Sequence, residues 1–297
     1  MNPINQISKE LNITSKQVEK TIQLLEEGGT VPFISRYRKE QTGGLDEVQI
    51  LEIKIALEKL KEFEKRKLAV IKAIEEQGLL TDEVKGLIDK TKSLTELEDI
   101  YLPFKKKRKT KASEARDKGL EPLAKVIMAQ NEEDVKRAAS RFVKGKVSSE
   151  EEALEGARYI MAEWISERVS VRNIVRKAFE KQAVAKAKLI KGKEVAGEKF
   201  KDYFDYSEST SRLKSHRTLA LFRAENEGVI RLKIQPDEEY VLEKLNQKLK
   251  HGYNESSEQV ELAIKDSYKR LLKPSLETEH RNVIKEKADE QAIAVFS

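Results

Sequence analysis

The sequence predicts an all-α protein in which an N-terminal helix-turn-helix-like module belongs to a multi-helix domain, followed by a helical connector with at most a short strand or hairpin. The composition is the first reason: charged residues make up 37% of the 297 residues, hydrophobic residues 38% and aromatic residues 6%. This balance is typical of solvated amphipathic helices. The second reason is a series of helix-start signals, and the third is the recurrence of apolar residues at spacings of three and four.

Helix starts are marked by a serine or threonine followed three residues later by glutamine or glutamate. In such a capping box the hydroxyl and the later side chain each satisfy a backbone N–H group that the helix leaves unpaired. The pattern occurs at Thr14 and Gln17, Ser93 and Glu96, Ser148 and Glu151, and Ser256 and Gln259. Glycine tolerates the left-handed backbone found at helix ends. We therefore predict ends at Gly28, Gly29, Gly43, Gly44, Gly78, Gly119 and Gly252.

The first 27 residues have the spacing of a helix-turn-helix. Apolar residues before and after a tight turn at residues 12–14 would pack two helices together; they are Ile4, Ile7 and Leu11, then Val18, Ile22 and Leu25. Lys16 and Lys20 face outward at the start of the second helix, where a DNA-reading helix enters the major groove. The alternative is a packing or partner-binding module, which the acidic side chains on the same helix favour.

Two longer helical stretches and one strand complete the pattern. Residues 45–77 predict either one long helix or two helices with a break at residues 62–67, and a second helix-rich stretch covers residues 148–189. Alternation of apolar and basic side chains predicts a strand at residues 228–234. Glycines and lysines interrupt the helices near residues 188–201, so we predict a helical domain at 1–190 and a connector at 191–297.

The composition excludes several classes of protein. The chain has no cysteine, which excludes disulfides, thiolate metal sites and a cysteine nucleophile. Its longest apolar run is about five residues, far below the ~20 that a membrane span requires. The N-terminus lacks the layout of a signal peptide. We therefore expect a cytoplasmic protein that does not enter a membrane.

Catalytic arrangements are missing from the sequence. A Gly-Lys pair at residues 145–146 lacks the earlier glycine and the following serine or threonine of a P-loop. Asp202, Asp205 and Glu208 could hold a divalent cation or form a structural acidic turn. The turn is favoured because the glycine and closing glutamate of a calcium loop do not fall correctly. We expect no enzyme activity, no cofactor and no metal.

The densest charge feature is residues 105–111, which we call the basic segment. Six of its seven residues are cations: Lys105, Lys106, Lys107, Arg108, Lys109 and Lys111. Pro103 argues against a helix that continues into it. We expect contact with the phosphate backbone of a nucleic acid. If all six cations engaged duplex DNA, log K would fall with log salt at a slope of about −5. The alternative is a solvated loop.

A second basic cluster follows an apolar stretch near the N-terminus. Its cations are Arg36, Arg38 and Lys39, preceded by Phe33, Ile34 and Tyr37. These cations could bind phosphates, or they could pair with nearby carboxylates and stabilise the turn at residues 43–44. The candidate carboxylates are Glu40, Asp46 and Glu47. We favour the pairing.

Several motifs along the chain belong together. They are LLEEGGTVPFISRYRKE at residues 24–40 with TGGLD at 42–46, LEDIYLPF at 97–104 with its basic continuation to 112, and shorter segments at 119–124, 201–206 and 215–220. These motifs resemble those of the Tex-type transcription accessory proteins. The resemblance covers essentially the whole chain in order, and the first two motifs are long enough to be specific. It implies a bacterial nucleic-acid-binding protein that acts around transcription and RNA.

The resemblance also implies longer chains that continue into an RNase H-like domain, a helix-hairpin-helix module and an OB-fold RNA-binding domain. None of these follows here, so we expect a fragment or a truncated gene product. The expected function is an N-terminal helical scaffold with auxiliary RNA or DNA contacts and contacts to transcription machinery. The alternative is a scaffold that binds transcription or RNA-processing proteins without touching nucleic acid. The choice of RNA or DNA, the protein partner and the oligomeric state stay open.

Overall fold

The structure is a computed structural model that describes residues 3–106 and 109–296, with side chains described up to residue 292. The chain divides into two compact units, unit 1 at Met1–Lys105 and unit 2 at Lys106–Ser297. The described residues are mostly helical with one three-stranded antiparallel sheet, which confirms the predicted fold class. Residue 190, where the sequence predicts a domain boundary, lies inside unit 2.

The regular elements of unit 1 are all helices within its described residues. Its elements are α1 (Pro3–Leu11), α2 (Ser15–Glu26), α3 (Val31–Tyr37), α4 (Glu47–Glu75), α5 (Asp82–Lys90) and α6 (Leu94–Tyr101), followed by a 3₁₀ turn at Leu102–Phe104. The predicted helical hairpin is α1 and α2, which turn at Asn12 with a φ of 54°. Asparagine tolerates this left-handed conformation better than most residues. The stretch predicted as one helix or two is the single helix α4 of 29 residues.

Unit 1 has two apolar clusters. The first packs α1, α2, α3 and the front of α4 together around fully buried Ile7, Val18 and Ile34. The second joins the rear of α4 to α5 and α6 around Ile74 and Leu97. Because α4 contributes to both clusters, it is the element that holds unit 1 together.

Unit 2 contains longer helices and the sheet. Its elements are α7 (Lys111–Asp117), α8 (Glu121–Met128), α9 (Val135–Ser140), α10 (Glu150–Glu167), α11 (Val169–Gln182), β1 (Val184–Leu189), β2 (Asp205–Ser209), α12 (Ser215–Asn226), β3 (Ile230–Gln235), α13 (Glu238–Leu249), α14 (Glu255–Asp266) and α15 (Lys273–Phe296), with a 3₁₀ turn at Glu198–Tyr203 and a π-helical turn at Ser267–Leu272. Helix α10 lies at the centre. A Cβ atom at its Gly156 would lie 2.3 Å from Leu120 Cδ1, so glycine permits this close packing.

The sheet has the order β2-β1-β3 with both pairings antiparallel. Strand β3 confirms the strand predicted at residues 228–234. Strand β1 lies in a stretch predicted to be helical, because its sequence VAKAKL is rich in residues with high helix propensity. Tertiary packing overrides that propensity by burying Ala185 and Ala187 against the core. The sheet is therefore one strand larger than the hairpin predicted as the maximum.

The outer edge of β3 is covered by side chains of α15. The Ile234 N–H donates to Glu277 Oε1 at 2.9 Å, and Arg281 Nη1 donates to the Leu232 carbonyl oxygen at 3.2 Å. An unpaired strand edge otherwise offers its backbone groups to another chain. These two bonds hold β3 in place beside β1.

Two predicted helix starts agree with the structure. Thr14 and Gln17 form a reciprocal capping box at α2. Ser93 caps α6 by accepting the Glu96 N–H at 3.2 Å. The Glu96 carboxylate instead accepts the Lys92 N–H at 2.9 Å, so this second box is not reciprocal.

The other two predicted starts are displaced. Helix α10 is capped by Ser149, not Ser148, because Ser149 accepts the Glu152 N–H at 3.2 Å while the Glu152 carboxylate accepts the Ser148 N–H at 2.8 Å. Helix α14 is capped by Asn254. Ser256 is fully buried in the first turn, and its hydroxyl donates to a distant backbone carbonyl, so it cannot act as the cap.

Candidate nucleic-acid interface

A cluster of exposed rings and cations lies at the end of α3, and we call it the arginine–aromatic patch. It consists of Phe33, Arg36, Tyr37, Arg38 and Lys39. Phe33 is 42% exposed and Tyr37 is 68% exposed, although both are large apolar residues. They lie one helical turn apart with ring centroids separated by 5.4 Å, and the Arg38 guanidinium lies 5.2 Å from the Phe33 ring centroid.

The local sequence explains why these rings point outward. Thr30 caps α3 and Pro32 occupies its first turn. Ile34 is fully buried, so it fixes which face of this short helix packs on the core. Phe33 and Tyr37 are four residues apart and share a strip of α3 beside Ile34, and both rings remain exposed.

The cations of the patch make no ion pair with any residue that the structure describes. Arg38 Nη1 donates only to the neighbouring Tyr37 carbonyl oxygen at 3.2 Å. The pairing with Glu40, Asp46 and Glu47 that the sequence favours is not found. Asp46 instead caps α4, accepting the Gln49 N–H at 2.8 Å.

The two lysines predicted on the helical hairpin are exposed on α2. Lys16 makes no side-chain bond within the described part of the chain, and Lys20 Nζ donates to Gln23 Oε1 at 3.0 Å. Gln17 Nε2, between them, donates to the Gly43 carbonyl oxygen at 3.0 Å. This bond ties the start of α2 to the turn that follows the arginine–aromatic patch.

The basic segment begins with a bonded lysine. Lys105 Nζ lies 2.5 Å from Glu98 Oε2 and 5.5 Å from the centroid of the Tyr101 ring. Glu98 also accepts from Arg66 Nε at 2.6 Å. Burial by itself would raise the pKa of Glu98, but the bonds from Arg66 and Lys105 outweigh it and hold that pKa below the ordinary value. The same bond raises the pKa of Arg66.

The later part of the basic segment is also bonded within unit 2. Lys109 Nζ lies 3.5 Å from Glu114 Oε1. Lys111 Nζ donates to the Tyr159 hydroxyl at 3.0 Å and lies 4.4 Å from the centroid of its ring. The bond to Tyr159 raises the pKa of Lys111. Thr110, between the two lysines, caps α7.

The remaining cations of the basic segment differ from these three. Lys106 is exposed and has no bonding partner in the part of the chain that the structure describes. Lys107 and Arg108 lie outside the described residues. Nucleic-acid contact by the basic segment stays a prediction, with three of its six cations already bonded to the protein.

The acidic residues weighed as a cation site do not converge. Asp205 and Glu208 lie on opposite faces of β2, because they are three positions apart and side chains alternate along a strand. Glu208 accepts from the Tyr206 hydroxyl and from Arg217 Nη1 at 3.2 Å. Burial and the bond to Glu208 raise the pKa of Tyr206 to about 12. Within residues 3–106 and 109–296 no three His, Asp or Glu side chains are grouped as metal ligands would be.

Two family models match this chain. Residues 130–296 match the family described as Tex central region-like, and residues 1–75 match the Tex-like protein N-terminal domain. The chain belongs to the Tex family. The motifs at residues 24–40 and 97–112 that indicated Tex-type proteins carry the arginine–aromatic patch and the basic segment.

Relatives of the Tex-family chain cover nearly all of it. It is 40% identical over 307 residues to the Transcriptional accessory protein Tex of Neisseria gonorrhoeae, covering 100% of this chain and 40% of that protein. It is 39% identical over 306 residues to Protein YhgF of Escherichia coli, covering 98% and 39% respectively. It is 27% identical over 305 residues to the human S1 RNA-binding domain-containing protein 1, covering 98% and 31%. The chain therefore spans about 40% of the length of the first two relatives.

Sequence reasoning missed the partners of the Tex-family basic segment. Glu98, the partner of Lys105, also binds Arg66, which lies 32 residues from it in the sequence. Tyr159, the partner of Lys111, lies 48 residues from that lysine. Helical periodicity predicts neighbours within about one turn and carries no signal for such distances.

None of the described helices is both long enough and apolar enough to cross a membrane.

Proposed function

We propose that this Tex-family chain is a helical scaffold that contacts nucleic acid, with a single strand bound at the arginine–aromatic patch of unit 1. The observation that carries the proposal is the exposure of Phe33 and Tyr37 beside cations without ion pairs. Aromatic rings stack on unpaired bases, with about 1–3 kcal/mol per base, and neighbouring cations attract the phosphates. Lys16, Lys20 and the basic segment would add auxiliary phosphate contacts.

The names of two relatives support RNA as the ligand and transcription as the setting. One relative is named a transcriptional accessory protein and another is named for an S1 RNA-binding domain. We therefore propose RNA as the preferred single strand and transcription as the setting. The proposal also places the protein in the bacterial cytoplasm and assigns it binding without catalysis.

The test is a salt-titrated binding assay of the full chain with a 20-nucleotide single-stranded RNA and with a 20-base-pair DNA duplex. The variant Arg36→Gln/Arg38→Gln/Lys39→Gln removes the cations of the patch. We expect its RNA affinity to fall and the salt slope to become shallower by about 2, since each single-strand phosphate contact contributes about 0.7.

The matched control is Lys85→Gln/Lys90→Gln/Lys92→Gln, which removes three exposed positive charges elsewhere in unit 1. Its RNA affinity and salt slope should stay close to those of the unmodified chain. Equal losses in the two triple variants would mean that net charge, not the patch, attracts the RNA. No change in the patch variant would refute the proposal.

A second candidate function is a protein-interaction scaffold, and one observation favours it. Val48, Leu51 and Ile55 of α4 are 58%, 41% and 41% exposed. Their spacing places them on one helix face, as in helices that dock into an apolar groove of a partner. A nuclease-resistant protein complex that Leu51→Glu abolishes, with no shift of either nucleic acid at low salt, would favour this function over the first.

A further inference from the structure

The outward face of the sheet in unit 2 carries four cations in directly opposed pairs. Lys186 of β1 lies opposite Lys233 of β3, and Lys188 of β1 lies opposite Arg231 of β3. We call these four residues the sheet cations. All four are exposed, whereas the residues that alternate with them along β1 and β3, such as Ala187 and Leu232, are buried. Strand alternation therefore directs every sheet cation to the same surface.

The sheet cations have no compensating partners. None of the four side chains forms an ion pair or hydrogen bond with any residue in the described ranges, unlike Arg217 and Arg270 of the same unit, which bond to carboxylates. The carboxylate on this face is Asp205 of β2, opposite Lys188, and it lies beyond ion-pair distance.

The opposed pairs of sheet cations lower the stability of the sheet. Like charges placed directly opposite each other across two strands are destabilising. The same four strand positions could hold polar uncharged side chains at no such cost, like Ser207 of β2, which lies opposite Lys186. A bound polyanion would remove the repulsion, so the face is suited to one.

We propose that the sheet cations bind the phosphate backbone of a nucleic acid, which gives unit 2 a binding surface of its own. The inference rests on the proposed function for the class of ligand and on the sheet register for the site. Opposed residues lie about 5 Å apart, and successive outward residues of a strand about 7 Å apart. The four charges thus form a compact rectangle that can contact adjacent phosphates.

The neighbours of the sheet cations determine what the surface can read. The other outward side chains of the three strands are Val184, Asp205, Ser207, Ser209 and Gln235. None is aromatic, so this face offers no ring for base stacking. Phosphate contacts fix position without reading sequence. We therefore expect binding of duplex and single strand alike, without base preference, in contrast to the arginine–aromatic patch.

The backbone that carries the sheet cations is well supported. β1 is paired on both sides, and β3 is held at its outer edge by Glu277 and Arg281. The spacing of the four Cα atoms is therefore set before a ligand binds, which lowers the entropy cost of binding.

The test compares two quadruple variants of the full chain. The first removes the sheet cations: Lys186→Gln, Lys188→Gln, Arg231→Gln and Lys233→Gln. The second removes the same residue types from exposed, unpaired positions elsewhere in unit 2: Lys136→Gln, Arg141→Gln, Lys144→Gln and Lys146→Gln. Both lower the net charge equally, so a difference between them reports the site.

Binding of a 20-base-pair DNA duplex is measured by fluorescence anisotropy between 50 and 200 mM salt. Four phosphate contacts contribute a slope of about −3.6, which corresponds to about a 150-fold loss of affinity over this salt range. The first variant should lose that part of the slope and bind the duplex at least tenfold more weakly at 50 mM salt. The second should bind within about twofold of the unmodified chain. Equal behaviour of the two variants would overturn the inference.

The patch variant Arg36→Gln/Arg38→Gln/Lys39→Gln, assayed in parallel, separates this inference from the proposed function. If only the sheet variant loses nucleic-acid binding, the sheet inference stands and the assignment of RNA binding to the arginine–aromatic patch fails. If only the patch variant loses RNA binding, the reverse holds. Absence of any binding by the unmodified chain would overturn both.

A footprint on the unmodified chain keeps the inference testable if the quadruple variant fails to fold. Lysines are acetylated in the presence and absence of the duplex and quantified by mass spectrometry. Lys186, Lys188 and Lys233 should be protected more strongly than Lys136 and Lys144. Equal protection of the two sets would count against the sheet surface.

Discussion

The basic segment has more cations than the arginine–aromatic patch, but fewer of its described cations are free to bind a ligand. The basic segment has six cations in seven residues, yet Lys105, Lys109 and Lys111 are already bonded to Glu98, Glu114 and Tyr159. The patch has only three cations, but none forms an ion pair with a described residue. Density along a sequence therefore does not measure how many charges a ligand can use.

The two regions also use their aromatic residues differently. At the basic segment the Tyr101 and Tyr159 rings lie against Lys105 and Lys111, so their faces are already in contact with cations of the same chain. In the patch the Arg38 guanidinium lies over the Phe33 ring, but no described cation lies over the Tyr37 ring, which is 68% exposed. Rings that a base can reach distinguish a stacking surface from an internal cation–π contact.

Of the changes considered, removing the two rings of the patch should lower the affinity for single-stranded RNA most. In Phe33→Ala/Tyr37→Ala we expect single-stranded RNA affinity to fall about 30-fold or more, because two stacked bases at about 1–3 kcal/mol each contribute at least about 2 kcal/mol. Duplex affinity should change little, since paired bases are not free to stack. Anisotropy titrations with both probes measure the difference.

The control for the rings is Tyr253→Ala, which removes a tyrosine that is 97% exposed in unit 2. It should leave the affinity for both probes unchanged. A similar loss for duplex and single strand in the patch variant would show that its rings do not stack on bases.

Removing the cations of the basic segment or of the patch should change the salt dependence of RNA binding by an intermediate amount. We expect Lys105→Gln/Lys109→Gln/Lys111→Gln to change the RNA salt slope by less than half of the change of about 2 expected for Arg36→Gln/Arg38→Gln/Lys39→Gln. The reason is that the first three cations must give up internal bonds before they can bind phosphate. The measurement is the slope of log K against log salt for each variant. Equal slope changes would remove the distinction between the two regions.

The smallest effect is expected from Glu98→Gln, which releases Lys105 from its ion pair. The RNA salt slope should become steeper by less than about 0.7, the contribution of one single-strand contact. The variant should also lower the free energy of unfolding by about 1 kcal/mol, because two partly exposed charge-assisted bonds are weakened. Glu62→Gln, at an exposed position of α4, is the control with the same charge change.

The pH dependence of unfolding gives the sign of the Glu98 contribution. The folded-state pKa of Glu98 lies below its ordinary value of 4.5. The stabilisation is therefore fully present above pH 4.5 and is lost as the pH falls through the lower folded-state pKa. Chemical denaturation followed by circular dichroism should show the difference between the unmodified chain and Glu98→Gln shrinking below that pH. A constant difference down to acidic pH would contradict the contribution of the ion pair.

Local patterns were sufficient to predict the helical class, the hairpin at the N-terminus and the strand at β3. They failed at β1, whose alanines and lysines have high helix propensity, and at the start of α14, where Asn254 takes the capping role expected of Ser256. In both cases a long-range contact decided the outcome. Pairing with β2 and β3 holds β1 extended, and burial of Ser256 leaves its hydroxyl bonded to the Glu132 carbonyl oxygen.

The sequence by itself determined which residues carry charge, the helical class with the starts of α2 and α6, and which family the motifs indicate. Only the tertiary structure decided which of those charges are available. It joins Glu98 to Arg66 across 32 residues and Lys111 to Tyr159 across 48, and it sets Lys186 opposite Lys233 in the sheet. Helical and strand periodicities relate residues only a few positions apart, whereas ion pairs and sheet register depend on how distant segments pack.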